Sequence, residues 1–382
     1  MESAASTVPA TASTAVSDNV TAALVLNSIP QTCSITRAVN YWTPSITETY
    51  ARINTYGAPT LLYIGVPPPF DITSRRKSFP AVQKLLTEVY ALCFKLAAEC
   101  SVQVDVRVVL LDDNDSADDN AFGPVIRTEQ LADMQLWDAL LVTRNDQGYQ
   151  NQGQFLGATM SPNLRVYYVS PGTLERGENG DAIPEAEGER EEHSIVAVGG
   201  TFDHLHLGHK LLLTCTAFMA ASPSYPTTRL IIGLTGPEML KDKKHAEQME
   251  AYQYRSTRVL EFLRGIVDLA PFDSRGPLAT SEVDGVTICT FTEYDRGDDS
   301  KKVVVEISEL SDPFGPTITE EGVTALVVTK ETESGGAAVN KRREEKGWNT
   351  LEVGVVDLLM DGGEKLSSTK LRRMADEGAS VN

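Results

Sequence analysis

Residues 194–220 read SIVAVGGTFDHLHLGHKLLLTCTAFMA, and the order of residue types in them dictates a local fold. The apolar run 194–198 is a buried strand by its length and β-branched content. It runs straight into Gly199, Gly200 and Thr201. A helix follows over 208–221, with Leu211, Leu212, Cys215, Phe218 and Met219 on one face. Glycines at a strand end let a backbone come close to a ligand where a Cβ would obstruct it. The helix after them offers unpaired N–H groups and the positive end of its dipole, which suit phosphate oxygens. His206 and His209 stand three apart on one helical face, and Gly208 between them leaves room for a ligand. Neutral imidazoles there donate hydrogen bonds, and protonated ones add Coulombic attraction. A metal pair is one competing reading, but no third ligand follows at a convincing spacing, so no metal ligands are expected. Ordinary surface residues are the blander reading. Against it, His204, His206 and His209 are three of only five histidines and fall within six positions.

Outward from this stretch the same order repeats. Strands are predicted over 230–234, 286–291, 325–329 and 351–358, and helices over 251–264, 337–346 and 369–376. Repeated strand-then-helix order predicts a parallel, Rossmann-like sheet with its site at the carboxyl ends of the strands. The long acidic stretch 294–322 reads as decorated surface in preference to a lid. Upstream, residues 174–193 form an acidic linker, for 175–192 hold eight acidic residues, a proline and three glycines without apolar periodicity. Before it, strands over 22–29, 60–66, 102–111, 138–143 and 164–169, with a helix marked by Val82, Leu85, Leu86, Val89, Cys93 and Leu96, predict a second α/β domain over 20–173. That domain offers no nucleophile, metal cluster or phosphate loop, so its role stays open. Residues 1–19 are small and polar and are expected to be disordered. The predicted architecture is therefore α/β throughout, with the site-bearing domain over 194–382.

The chain has 382 residues and a formal charge of −19. Such an acidic protein is a poor partner for nucleic acid or an anionic membrane surface. An anionic substrate must be met by a local cluster of donors. No apolar run reaches the ~18–20 residues that span a bilayer, and the N-terminal residues do not read as a secretory or mitochondrial signal. Five scattered cysteines without CxxC spacing fit reduced thiols, hence the cytoplasm, or cytoplasm and nucleus together.

Two further clusters supply cations. In Lys365-Leu-Ser-Ser-Thr-Lys-Leu-Arg-Arg373, Ser367, Ser368 and Thr369 are suited to cap a helix. Lys370, Arg372 and Arg373 then crowd its first turn, where cations oppose the dipole unless an anion lies between them. In Lys241-Asp-Lys-Lys-His245, after a strand end, one lysine is placed to reach the cleft, although a solvated loop is equally compatible. Phosphoryl and nucleotidyl transfer depend on such positioned donors. No serine, cysteine or aspartate stands out as a covalent nucleophile, and no Gly-x4-Gly-Lys-Ser/Thr loop is present.

Residues 199–209 with 366–372 resemble the HxGH and (I/L)SSTxxR motifs of the HxGH nucleotidyltransferase superfamily. More closely, GGTFDHLHLGHK is similar to the phosphopantetheine adenylyltransferases of eukaryotes and archaea, and the segment 327–340, VVTKETESGGAAVN, resembles that family's VVS-ET…G…IN pattern. The resemblance implies transfer of AMP from ATP to 4′-phosphopantetheine, giving dephospho-CoA and pyrophosphate with Mg2+ as the cofactor of ATP. By motif position, Thr201 orients the acceptor phosphate, and His209 stabilises charge at the α-phosphate with His206 beside it. Lys241 bridges the two phosphate groups. Gly199, Gly200, Phe202 and Gly208 complete the nucleotide turn, and Ser367, Ser368, Thr369 and Arg372 hold the β- and γ-phosphates. Two rivals remain: another HxGH enzyme, using nicotinamide mononucleotide or making cytidylyl products, and a non-catalytic binder of CoA or dephospho-CoA. The first domain is expected to recruit protein partners from neighbouring steps of CoA synthesis.

Overall fold

The computed structural model describes residues 19–31, 33–113, 123–174, 192–220, 227–241, 246–292, 302–361 and 364–376. The tail expected over 1–19 and the linker expected over 174–193 lie almost wholly outside the described residues. So do the rest of the lysine cluster after Lys241 and the start of the acidic stretch. Among the described residues no helix is long and apolar enough to cross a membrane.

The first half runs β1 (Val20–Val25), α1 (Ile35–Asn54), β2 (Thr60–Val66), α2 (Arg75–Cys100), β3 (Val104–Leu111), β4 (Val125–Ile126), α3 (Thr128–Asp133), β5 (Ala139–Thr143), α4 (Asp146–Ala158) and β6 (Arg165–Val169). Its six strands are all parallel, in the order β4-β3-β2-β1-β5-β6. Helices cover the faces of such a sheet, which is why β1, β2 and β5 read as nearly continuous apolar runs. Helix α1 was not predicted. Its buried Ala38, Val39, Trp42, Ile46, Tyr50 and Ile53 do recur at helical spacing, but Pro44 and several Thr and Ser residues interrupt the pattern.

The second half runs β7 (Ile195–Gly200), α5 (Leu207–Met219), β8 (Thr227–Thr235), α6 (Tyr252–Val267), β9 (Ser281–Val283), β10 (Val286–Thr292), β11 (Lys302–Leu310), β12 (Ala325–Thr329), α7 (Glu333–Glu345), β13 (Glu352–Val356), a short hairpin β14 (Met360–Asp361) and β15 (Glu364–Lys365), and α8 (Ser368–Asp376). Seven strands form one sheet in the order β13-β12-β7-β8-β11-β10-β9. The strands from β13 to β11 are parallel, but β10 is antiparallel to both β11 and β9. This corrects the expectation of a purely parallel sheet. It also corrects the surface reading of 294–322, because β11 lies in the sheet between β8 and β10. Val303, Val305 and Ile307 alternate inward along it, a period-2 signal hidden among acidic neighbours.

The two halves pack directly on each other. Helix α2 lies against α5 and β13, with the Phe79 ring so close to Gly354 that a Cβ there would come within 2.8 Å of it. Tyr90 and Thr214 hydroxyls approach to 3.4 Å, and the Tyr63 hydroxyl donates to the Gly265 carbonyl at 2.9 Å. Buried apolar residues of both halves, Trp42 and Leu86 with Leu213 and Ile232, belong to one continuous core.

Candidate active site

The site forms where the carboxyl ends of β7 and β8 meet the N-termini of α5 and α8. The chain turns sharply after β7: Phe202 and His204 both adopt left-handed backbone with φ of 49°. For non-glycine residues that conformation costs about 1–3 kcal/mol and persists only where surroundings enforce it. Here the enforcing groups are visible. Phe202 is fully buried, and its ring lies 5.3 Å from that of His209. Asp203 is also fully buried and receives the Glu250 N–H at 2.9 Å, while the His204 N–H donates to Glu250 Oε2 at 2.6 Å. Arg255, on α6, donates to the carbonyls of Thr201 (2.6 Å), Glu250 (3.0 Å) and Thr235 (3.1 Å), tying both strand ends to the turn.

His206 caps α5, and its Nδ1 accepts the Gly208 N–H at 3.2 Å. That assigns the ring proton to Nε2, making Nε2 a donor. His206 and His209 stack with centroids 3.8 Å apart and planes 19° from parallel. Burial, followed by the His209 and Lys210 charges, holds His206 well below the usual imidazole range. His209 is pushed down to about 3 by burial and then by His204. Both rings are therefore neutral at physiological pH in the unliganded protein. His206 Nε2 and His209 Nδ1 are buried without a hydrogen-bond partner in the protein. A buried donor left unpaired costs free energy, and an oxyanion ligand would satisfy it. Gly208 serves the cap itself: a Cβ there would lie 3.1 Å from the His206 ring.

The second motif docks on the first. Arg372, nearly fully buried, donates from Nη1 to Asp203 Oδ2 at 2.6 Å and from Nη2 to Thr369 Oγ1 at 3.2 Å. The Ser368 hydroxyl donates to the Asp203 carbonyl at 3.0 Å. Ser367 accepts the Lys370 N–H at 3.3 Å and so caps α8. The anion that offsets Arg372 at its helix N-terminus is thus a residue of the chain, Asp203. The segment 327–340 is tied to the second motif where Glu331 pairs with Lys365, and its Lys330 pairs with Asp357. Asn340 has a structural task, bonding both the carbonyl and the N–H of Leu351 at the entrance to β13.

Of the predicted residues, Gly199, Gly200, Thr201, Phe202, His206, Gly208 and His209 share the β7–α5 turn, and Ser367, Ser368, Thr369 and Arg372 lie on the α8 end docked against it. The Thr201 hydroxyl is 3.5 Å from that of Thr235 at the end of β8. Lys241 stands a few residues beyond β8, exposed and ion-paired with Glu238 rather than with the histidine turn. Asp203, Glu250 and Arg255 were not singled out from sequence. A carboxylate between the turn's glycines and histidines was the available signal for Asp203, whereas Glu250 and Arg255 come from a region without any motif.

Asp203, His204 and Glu250 bring potential ligand atoms within 4.8 Å of one another. They do not fit Mg2+: Asp203 already carries the Arg372 guanidinium and an N–H, and Glu250 accepts the His204 N–H. Mg2+ prefers oxygen ligands and retained waters, not a cation-paired carboxylate beside an imidazole.

Comparison with known proteins gives a family model, several curated relatives and a solved structure. The family described as domain of unknown function DUF8446 matches residues 12–172. The phosphopantetheine adenylyltransferase of Saccharomyces cerevisiae is 35% identical over 191 residues, 49% of this chain and 50% of that protein. The protein of the same name from Thermococcus kodakarensis is 32% identical over 184 residues, 48% of this chain and 87% of that protein. The chain thus spans half the length of the yeast relative and most of the archaeal one. Among solved structures, a protein of unknown function from Archaeoglobus fulgidus matches at 22% identity with a TM-score of 0.29, over 43% of this chain and 89% of that one.

Proposed function

This chain belongs to the phosphopantetheine adenylyltransferase family, and from that premise we propose that it transfers AMP from ATP to 4′-phosphopantetheine, releasing pyrophosphate and dephospho-CoA in the synthesis of coenzyme A. The observation that carries this reading is the junction of the two motifs. The Arg372–Asp203 bond and the Ser368–Asp203 bond join the N-terminus of α8 to the turn that carries a pair of neutral imidazoles, each with one buried, unpaired ring nitrogen.

The transfer needs donors at the α-phosphate and no covalent enzyme intermediate. An acceptor phosphate oxygen attacks the α-phosphorus in line as the bond to the β-phosphate oxygen breaks, and charge builds on the equatorial oxygens. His206 Nε2–H and the first N–H groups of α5 are placed as donors to those oxygens. His209, stacked beneath His206, completes the pair, and the approach of negative phosphates raises both rings' proton affinity. Thr201, at the end of β7, orients the acceptor phosphate. Ser367 and Thr369 at the α8 end meet the β- and γ-phosphates, with Arg372 setting the orientation of that end from beneath. Lys241, exposed in the unliganded protein, swings from Glu238 to bridge the phosphates. Mg2+ enters as its ATP complex.

Pyrophosphate release by the purified protein with ATP, Mg2+ and 4′-phosphopantetheine tests the proposal, alongside His209→Ala. Turnover is expected only with phosphopantetheine, falling at least a hundredfold in the variant. Turnover with nicotinamide mononucleotide in its place would move the substrate. Ligand binding without turnover on any acceptor would overturn the enzymatic reading.

A further inference from the structure

Lys210 follows His209 directly and belongs to the first turn of α5, where its N–H donates to the His206 carbonyl at 3.0 Å. An ammonium at a helix N-terminus faces the wrong end of the dipole, and this one is buried. Its Nζ donates to Asp105 Oδ1 at 2.6 Å. Asp105 lies on β3, in the other half of the chain. Two residues along the same strand face, Arg107 donates to the Tyr63 hydroxyl at 3.0 Å, and that hydroxyl donates to Gly265 at the end of α6. The second half's catalytic helix is thus held by an ion pair whose partner comes from the first half. A cavity of about 680 Å³ between the halves is lined by both members of the pair and by His206.

We infer that Asp105 is a positioning residue for nucleotidyl transfer: by anchoring Lys210 it fixes the first turn of α5, and with it the orientation of the His206–His209 pair. The first half is accordingly a working part of the site. The inference rests on the reaction proposed above, but its geometry can be read without turnover. Electrostatics agree with it. Burial pushes the Lys210 ammonium down in pKa against the pull of Asp105, and for Asp105 the opposing charges of Lys210 and Arg107 outweigh burial and lower its pKa. The Lys210 charge in turn helps keep His206 neutral.

Removing Asp105 leaves Lys210 as an unpaired buried charge and destabilises the fold for trivial reasons, whereas replacing both by apolar residues is often neutral or stabilising. The decisive variant is therefore the double substitution Asp105→Leu/Lys210→Met in the full chain. Its melting temperature should stay within about 2 °C of wild type and its KM for ATP within about twofold. Its kcat should fall at least tenfold, as expected when donors shift by a fraction of an ångström. The 15N imidazole signals of His206 in the unliganded protein should move as well. Unchanged kcat with unmoved imidazole signals would reduce the pair to a stabilising contact and overturn the inference. If wild type itself does not turn over, the proposed reaction fails, and the imidazole spectra alone decide: moved signals support the positioning role and unmoved ones refute it.

Discussion

Replacing Arg372 with methionine removes the guanidinium while keeping a chain of similar length. Asp203, fully buried, then loses its 2.6 Å ion pair and retains the Glu250 N–H at 2.9 Å. Deleting one member of a buried pair costs about 3–5 kcal/mol when the survivor is uncompensated. The surviving N–H bond from Glu250 places this case at the lower end, about 3 kcal/mol. With an unfolding entropy of ~2.1 cal/mol/K per residue, that lowers the melting temperature of a chain this long by about 4 °C. Thr369 also loses its tie to Arg372, so the end of α8 loosens and the KM for ATP rises about tenfold, or 1.4 kcal/mol of lost binding. Thermal unfolding followed by circular dichroism, with steady-state kinetics on the same preparation, measures both. Adding Asp203→Asn, which removes the stranded charge, should restore at least half of the lost stability but not the KM. Should Arg372→Met melt within 1 °C of wild type and bind ATP normally, the junction would not be what joins the motifs.

His209 has a folded pKa near 3 against about 6.5 in an unfolded chain, so the unfolded state takes up the proton first. Its contribution to stability is fully present above pH 6.5 and lost as pH falls toward 3. Urea titrations of unliganded protein should therefore show a shallower loss between pH 6.5 and 4.5 in His209→Gln, and equal slopes would contradict the neutral ring. Tyr63→Phe strips a donor from the Gly265 carbonyl and an acceptor from Arg107, and should cost about 1–3 kcal/mol in urea unfolding; a neutral result would mean the halves are not latched there. Gly208→Ala should leave the melting temperature within about 2 °C, since alanine favours the helix. The same substitution displaces the His206 ring and should cut kcat about tenfold, and an unimpaired enzyme would show that the ring's placement is immaterial.

Local order was legible where it follows from local residues. The strand, glycine turn and helix of 194–220 appear as read, with His206 and His209 on one face. Helix α2 extends beyond its predicted core because Ser74 caps it about two turns before its apolar stripe begins at Val82, the Lys77 N–H donating to the serine. What sequence did not disclose depends on partners distant along the chain. Arg372 reads as a phosphate ligand until Asp203, 169 positions away, is seen to hold it. Asp105 and Arg107 alternate on a strand and resemble solvated charges, yet each faces a group elsewhere in the fold. Strand β11 escaped because its inward valines sit in an acidic setting. Arg255 binds three carbonyls, and carbonyls leave no trace in side-chain pattern.

The packing of α2 on β13 has a consequence for how the chain is made. Helix α2 ends at Cys100, and the strand residue that Phe79 rests against, Gly354, is synthesised about 250 residues later. At ~5–20 residues per second a ribosome takes on the order of 13–50 s to bridge that interval. Sheet, helices and first-half core have ample time to form and α5 can cover Tyr90, but the α2 surface at Phe79 waits, uncovered, for almost the last strand. Nascent chains stalled within the second half should therefore present this face to chaperones and proteases, and release should end that exposure in a single late step.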